Sequence, residues 1–374
     1  MCHEAALRAT ARRFFIPLPG GEDSPENLGR VLQLFVADNG RERIDALGSL
    51  TLLTALCAAV TYVVPESSLP DKHLTAPLFL RAARETLRIY EYYDIEHPDF
   101  SSLATRLFLC SAIQNSTGTH GVAFHILGEA GLIAMKMRLF DESSPEGRET
   151  LEANLLRNAF WQLYMCDKTA LIMKTRPITI HEPLFGSELT LRAHSRMPVP
   201  LFDHGWDVDG GEVEERLLEG FHIIRRLWAV ALRVIQGMES ISKESLEARS
   251  HTNASCESIA HLSEAYFEMV TLANNLPALV RSPSDSSASV NRDADQHLFN
   301  IMQRQRTIYL ITLHSIKVLV PTTAIQHNMT EAMGLSAGRL TLARRKIELA
   351  QDFLKRPREC SIPTSPGGWR TMCK

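Results

Sequence analysis

The sequence predicts an all-α protein, built as a multi-helix array of antiparallel helices. Apolar residues recur every three to four positions through most of the chain, which is the period of an amphipathic helix. The alternating pattern typical of strands is nearly absent, and proline or glycine separates successive segments of helical length. Of the 374 residues, 45% are hydrophobic and 22% are charged, as in globular proteins with a substantial core.

The first four predicted helices cover residues 41–64, 76–93, 100–115 and 122–138. Pro65 and Pro70 follow the first helix, Pro98 follows the second, and Gly118 and Gly121 lie between the third and the fourth. Each break therefore coincides with a residue that interrupts helical hydrogen bonding or favours a turn.

Five further helices are predicted over residues 145–172, 212–238, 243–278, 296–320 and 338–354. The first of them should start at Ser144-Pro145, because a serine hydroxyl caps free amides and proline fits the first turn. Four prolines make residues 175–211 an irregular stretch. We expect an irregular N-terminal segment over 1–40, one helical domain over 41–355 with a linker at about 281–294, and a disordered tail over 356–374.

The sequence favours an intracellular protein without membrane association. The N-terminus lacks the apolar run of a secretory signal, and the seven cysteines are too widely spaced for a zinc site. The apolar run over residues 50–64 is too short to span a bilayer and is interpreted as a buried core helix.

No sequence pattern indicates catalysis. The chain lacks the nucleophile elbow, the phosphate loop and the dinucleotide-binding turn, so we predict no enzyme, no catalytic residue, no metal ligand and no cofactor. His120 and His125, five residues apart, are interpreted as loop or surface histidines. Asp141, Glu142 and Glu146 are interpreted as a solvated turn rather than a magnesium site.

The charge pattern does not favour nucleic-acid binding either. The net charge is −3, whereas free-standing nucleic-acid binders are usually basic. Arginine pairs occur at Arg12-Arg13, Arg225-Arg226 and Arg344-Arg345. We interpret each pair as part of a solvent-facing surface.

The most informative segment is the predicted helix that contains Phe160, Trp161 and Tyr164. Its wide apolar stripe and its neighbouring aromatic residues require enclosure by other helices. Asp167 and Lys168 are expected at the rim of this stripe, where the acid needs a cationic or amide partner. From the residues alone, a central scaffold helix with one structural ion pair is favoured over a ligand site.

This segment resembles the regulatory region, or middle homology region, of fungal zinc-cluster transcription factors. Phe160-Trp161, Leu163-Tyr164 and Asp167 match the aromatic and acidic positions of the family motif, and Arg176-Pro177-Ile178 matches its last element. Lys168 stands where the family usually has arginine.

A second match lies upstream. Phe124, Gly128, Ala130 and Ala134 resemble the family segment aromatic-x-x-x-Gly-x-Ala-x-x-x-Ala that precedes the tryptophan helix. Thr175 replaces the glycine that usually precedes the arginine and proline. The resemblance implies an all-helical fungal regulatory domain.

The resemblance also implies a nuclear protein that regulates transcription. In the family this domain follows a Zn₂Cys₆ DNA-binding cluster, which needs six cysteines within about thirty residues, and this sequence contains no such cluster. We therefore expect no direct zinc-cluster DNA binding, but action on a secondary-metabolite gene cluster through other transcription-regulatory proteins or a small-molecule effector. Two alternatives stay open: a small-molecule-binding protein or enzyme on the same scaffold, and a fragment of a longer zinc-cluster regulator.

Overall fold

Eight α-helices account for most of the described part of the chain. The computed structural model describes residues 40–64, 66–67, 69–118, 120–173, 179–181, 189–192, 210–247, 256–274 and 292–330, together with residues 334, 344, 347, 348 and 351. The helices are α1 (Gly40–Val63), α2 (Lys72–Glu96), α3 (Phe100–Thr117), α4 (His120–Lys136), α5 (Thr150–Ile172), α6 (Gly210–Glu247), α7 (Cys256–Asn274) and α8 (Arg292–Gln326). No described residue lies in a strand, and the predicted all-α class is confirmed.

The ends of α3 show how local sequence fixes a helix. The carboxylate of Asp99 accepts hydrogen bonds from the amides of Ser101 and Ser102 at 2.7 and 3.2 Å, which satisfies donors that the first helical turn leaves unpaired. The Ser102 hydroxyl accepts from the Asp99 amide in return, at 3.1 Å. At the other end Gly118 adopts φ 64°, a conformation that costs glycine little.

The predicted start of the fifth helix is wrong. The Ser144 hydroxyl donates to the Arg138 carbonyl at 2.9 Å and caps no helix, and α5 begins only at Thr150. The predicted break between the helices over 212–238 and 243–278 is also wrong, because α6 runs without interruption from Gly210 to Glu247.

Other predictions fall partly or wholly outside the described residues. The segment 1–39 and the tail 356–374 do so entirely. Residues 281–291 of the predicted linker also lie outside the described residues, and its last three residues, 292–294, belong to α8. Within the predicted helix 338–354, residues 344, 347, 348 and 351 are described, and all four are helical.

The buried side chains form two hydrophobic cores. The first core is built by α1 to α5 together with Leu139, Phe140, Ile180 and Leu191. The second core is built by α6, α7 and α8 and also contains Ile172 from the end of α5. Phe221 and Ala229 of α6 pack against the first core, so α5 and α6 connect the two cores.

A buried ionic network ties α2, α3 and α4 together inside the first core. The fully buried Arg106 guanidinium contacts Asp94 at 2.6 Å and Glu129 at 3.3 Å. The Ser102 hydroxyl donates to the second oxygen of Asp94 at 2.7 Å. Because each carboxylate belongs to a different helix from the arginine, the network fixes the relative positions of three helices.

The α1 helix is buried on one face only, which corrects the prediction of a buried core helix. Leu53 and Val63 are 56% and 62% exposed, while small residues on the opposite face pack against α2 and α3.

Two described stretches, Arg43–Val63 in α1 and Gln303–Gln326 in α8, are long and apolar enough to cross a membrane by length and composition alone. The protein buries 39% of the first apolar window and 50% of the second, and core helices of soluble proteins pass the same test.

Candidate functional site

The aromatic motif residues of α5 lie where the two cores meet. Phe160, Trp161 and Tyr164 are all buried. The ring of Trp161 meets Phe160 edge to face at 5.4 Å and 74°, and it meets Tyr164 at 5.4 Å and 77°. Such edge-to-face pairs fix the orientation of each ring as well as burying apolar area.

Asp167 is a clamp for backbone amides and does not lie at a rim. Asp167 is buried, with only 1% of its surface exposed. One carboxylate oxygen accepts from the Thr179 amide at 2.9 Å, and the other accepts from the Ile180 amide at 2.9 Å and from Thr179 at 3.2 Å. The predicted partner of the acid was a cation or an amide, and the structure shows two amides.

Lys168 is equally buried, at 3% exposure, and binds the same segment. Its ammonium donates to the Ile180 carbonyl at 2.9 Å and lies 4.6 Å from the centre of the Tyr164 ring. Adjacent residues of α5 therefore hold the amide and the carbonyl of Ile180. On the other side, a Cβ atom added at Gly131 of α4 would lie 2.9 Å from the Thr179 methyl, so glycine permits this close approach.

A second clamp holds residues 189–192. Glu142 pairs with Arg157 at 2.7 Å, and its other carboxylate oxygen accepts from the Arg192 amide at 2.9 Å. The Trp161 indole N–H donates to the Arg192 carbonyl at 2.9 Å. Two parts of the predicted irregular stretch, 179–181 and 189–192, are thus non-helical as expected but are fixed by buried polar side chains.

The prediction of a solvated turn is wrong for Glu142, which is buried. Burial acts to raise the pKa of Glu142, but the hydrogen bonds from Arg157 and from the Arg192 amide, with the charges of both arginines, hold it below its usual value of 4.5. Asp141 is partly exposed and Glu146 is exposed. Among the described residues, no group of three His, Cys, Asp or Glu side chains is arranged to hold a metal ion.

Arg225 of α6 lies against the motif tryptophan. The carbon of its guanidinium is 3.8 Å from the centre of the Trp161 ring, a cation–π contact. Burial lowers the pKa of Arg225, the nearby Tyr164 opposes this change, and the charge of Arg226 adds to it. The interpretation of Arg225-Arg226 as a solvent-facing pair is correct for the exposed Arg226 and wrong for the half-buried Arg225.

Sequence reasoning missed Arg225 although a signal was present. Arg225 follows the buried Ile224 and precedes the buried Trp228 by three residues. Positions three apart share a helix face, so Arg225 had to lie at the edge of the apolar face. An arginine at such an edge covers apolar surface with its side chain.

The two histidines and the Arg-Pro element of the sequence analysis are the remaining predicted residues. His120 and His125 are exposed, although both belong to α4 rather than to a loop, and His125 lies 3.2 Å from Glu129. Arg176 and Pro177 lie outside the described residues.

Comparison with known proteins yields no relative. No protein-family model, no curated protein and no solved structure matches the chain. Functional proposals for this protein therefore depend on the sequence motif and on the geometry of the described residues.

Proposed function

We propose that this chain is a transcription regulator of the fungal zinc-cluster type that retains the helical regulatory domain. The observation that supports this proposal is the joint role of the motif residues. Trp161, Asp167 and Lys168 each bind a backbone group of the segments that follow α5. A motif whose members hold one shared structure explains why these residue types occur together at this spacing.

The regulator would act in the nucleus through other transcription-regulatory proteins. The sequence has no cluster of six closely spaced cysteines, so a partner protein would supply the choice of target genes. The proposed target is a biosynthetic gene cluster, an expectation carried by the resemblance to the family.

A deletion strain tests this proposal. Its transcript profile should change in a coregulated set of genes, and chromatin immunoprecipitation of the tagged protein should recover their promoters. The wild-type gene and a variant with the exposed change Asp45→Asn should restore the profile. Unchanged transcripts under every growth condition that expresses the protein would contradict the proposal.

A second candidate function is the binding of a small metabolite, and Arg225 favours it. Its guanidinium is half-buried on Trp161, and no described carboxylate lies within ion-pair distance of it. Thermal-shift screening of the purified chain with metabolites distinguishes the two functions, since a ligand that binds the folded state raises its melting temperature.

A further inference from the structure

We infer that Arg225, held on the face of Trp161, binds the carboxylate of a small organic acid. This inference names the ligand class of the second candidate function and does not depend on the regulatory role. It rests on the geometry of the guanidinium, on the surrounding charges and on the fixed orientation of the tryptophan.

The guanidinium has no carboxylate partner among the described residues. Its Nε atom is buried and has no hydrogen-bond acceptor. The α6 positions one turn away hold Phe221, His222, Trp228 and Ala229, none of which is acidic. Removing a charge from water without a counter-ion is unfavourable, so buried charges in proteins are normally paired.

The acidic side chains of the neighbouring clamps are already engaged. Glu142 binds Arg157 and the Arg192 amide, and Asp167 binds the amides of Thr179 and Ile180. Neither acid can turn to Arg225 without leaving buried donors unpaired. The positive charge of Arg225 is therefore available to an added anion.

The contact with Trp161 limits the directions from which an anion can meet the guanidinium. A guanidinium that lies with its flat face on an aromatic ring keeps its N–H groups in the plane of the guanidinium, directed away from the ring. A carboxylate is planar and accepts two parallel hydrogen bonds from such an edge. The indole is fixed by its bond to the Arg192 carbonyl, so the ring against which the guanidinium lies has a set orientation.

The test uses the purified full chain and a pair of probes of equal shape. Benzoate carries the carboxylate, and benzamide is its neutral counterpart. At constant ionic strength, benzoate should raise the melting temperature of the wild-type protein in a saturable manner, whereas benzamide should not. Inorganic phosphate, which an arginine can also bind through two parallel hydrogen bonds, is the competing anion and should give a smaller rise than benzoate.

Variants of the two adjacent arginines locate the site. Arg226→Gln removes an exposed charge next to the site and should keep the full benzoate response. Arg225→Gln should abolish the response, and Arg225→Lys, which keeps the charge but not the planar fork, should weaken it. In the absence of ligand, Arg225→Gln should melt lower than the wild-type protein, because it loses the cation–π contact with Trp161. Each ligand response is therefore measured against the unliganded melting temperature of the same variant.

Several outcomes would overturn the inference. Equal responses to benzoate and benzamide would show that charge is not recognised, and an unchanged response in Arg225→Gln would place the site elsewhere. A phosphate response as large as that to benzoate would refute the carboxylate class. A wild-type protein insensitive to benzoate refutes it as well, even if the Arg225→Gln variant does not fold.

Discussion

The clamp at Asp167 makes a strong prediction about the segment that follows α5. In the variant Asp167→Asn, one carboxylate oxygen becomes an NH₂ group that faces backbone donors. The wild-type carboxylate accepts from the amides of Thr179 and Ile180, at 2.9 Å each. With its oxygen in the position that accepts from both amides, the asparagine keeps the bond from Ile180 and the longer, 3.2 Å bond from Thr179. Its NH₂ group then faces the Thr179 amide, which loses its 2.9 Å bond to the other oxygen.

The expected cost follows from these contacts. A hydrogen bond to a charged group contributes about 1.5–3 kcal/mol, and an unpaired buried donor costs about 1–3 kcal/mol. Because the 2.9 Å bond from Thr179 to a charged oxygen is replaced by a contact between two donors, we expect a loss of about 2–4 kcal/mol in the free energy of unfolding. If the segment opens locally, hydrogen exchange at the amides of Thr179 and Ile180 should accelerate roughly 30- to 1,000-fold.

Exchange measured by mass spectrometry over residues 179–181 and urea unfolding of the same samples are the appropriate assays. Asp45→Asn is the matched control, because Asp45 is exposed on α1 and its change should alter stability by less than about 0.5 kcal/mol. If Asp167→Asn exchanges and unfolds like the control, the clamp does not hold this segment and the structural role of the motif is refuted.

Two further predictions concern the close approach at α4 and the second clamp. Gly131→Ala should be less stable to urea than Gly128→Ala by about 1–3 kcal/mol. A Cβ atom at Gly131 would lie 2.9 Å from Thr179, whereas a Cβ atom at Gly128 meets nothing within 4 Å. Equal stability of the two variants would contradict the close approach. Glu142→Gln should lose about 2–4 kcal/mol at neutral pH because the buried Arg157 charge loses its partner. The pKa of Glu142 is lowered in the folded protein, so the stabilisation from its carboxylate is complete above the unfolded value of 4.5 and is lost as the pH falls through the folded pKa. The urea midpoints of the wild-type protein and Glu142→Gln should therefore converge on acidification. Parallel pH profiles would refute this linkage.

The fold class could be predicted from the sequence because helical periodicity is a local signal. The first four helices start and end within a few residues of the predicted positions, since prolines and glycines mark their ends. The start of α5 was mispredicted because Ser144 has a competing acceptor, the Arg138 carbonyl. A local capping signal cannot show whether a serine hydroxyl will accept from the amides of the following helix or donate to a nearby carbonyl.

The candidate site was predictable only in part. The apolar stripe correctly predicts that Phe160, Trp161 and Tyr164 are buried. The burial of Glu142 was not predictable, because it depends on Arg157, fifteen residues away, and on the Arg192 amide, fifty residues away. Polar groups in the core are determined by such long-range partners, whereas apolar burial follows from the pattern of a single helix.

The presence of tryptophan at position 161 follows from three simultaneous contacts. It packs edge to face with Phe160 and Tyr164, its indole N–H donates to the Arg192 carbonyl, and its face lies against Arg225. Phenylalanine could provide only the packing and the face, and tyrosine would place its hydroxyl on the ring axis rather than at the indole edge. The ring against which Arg225 lies is therefore also the ring that holds residues 189–192, and it is connected through Arg192 to the Glu142 clamp.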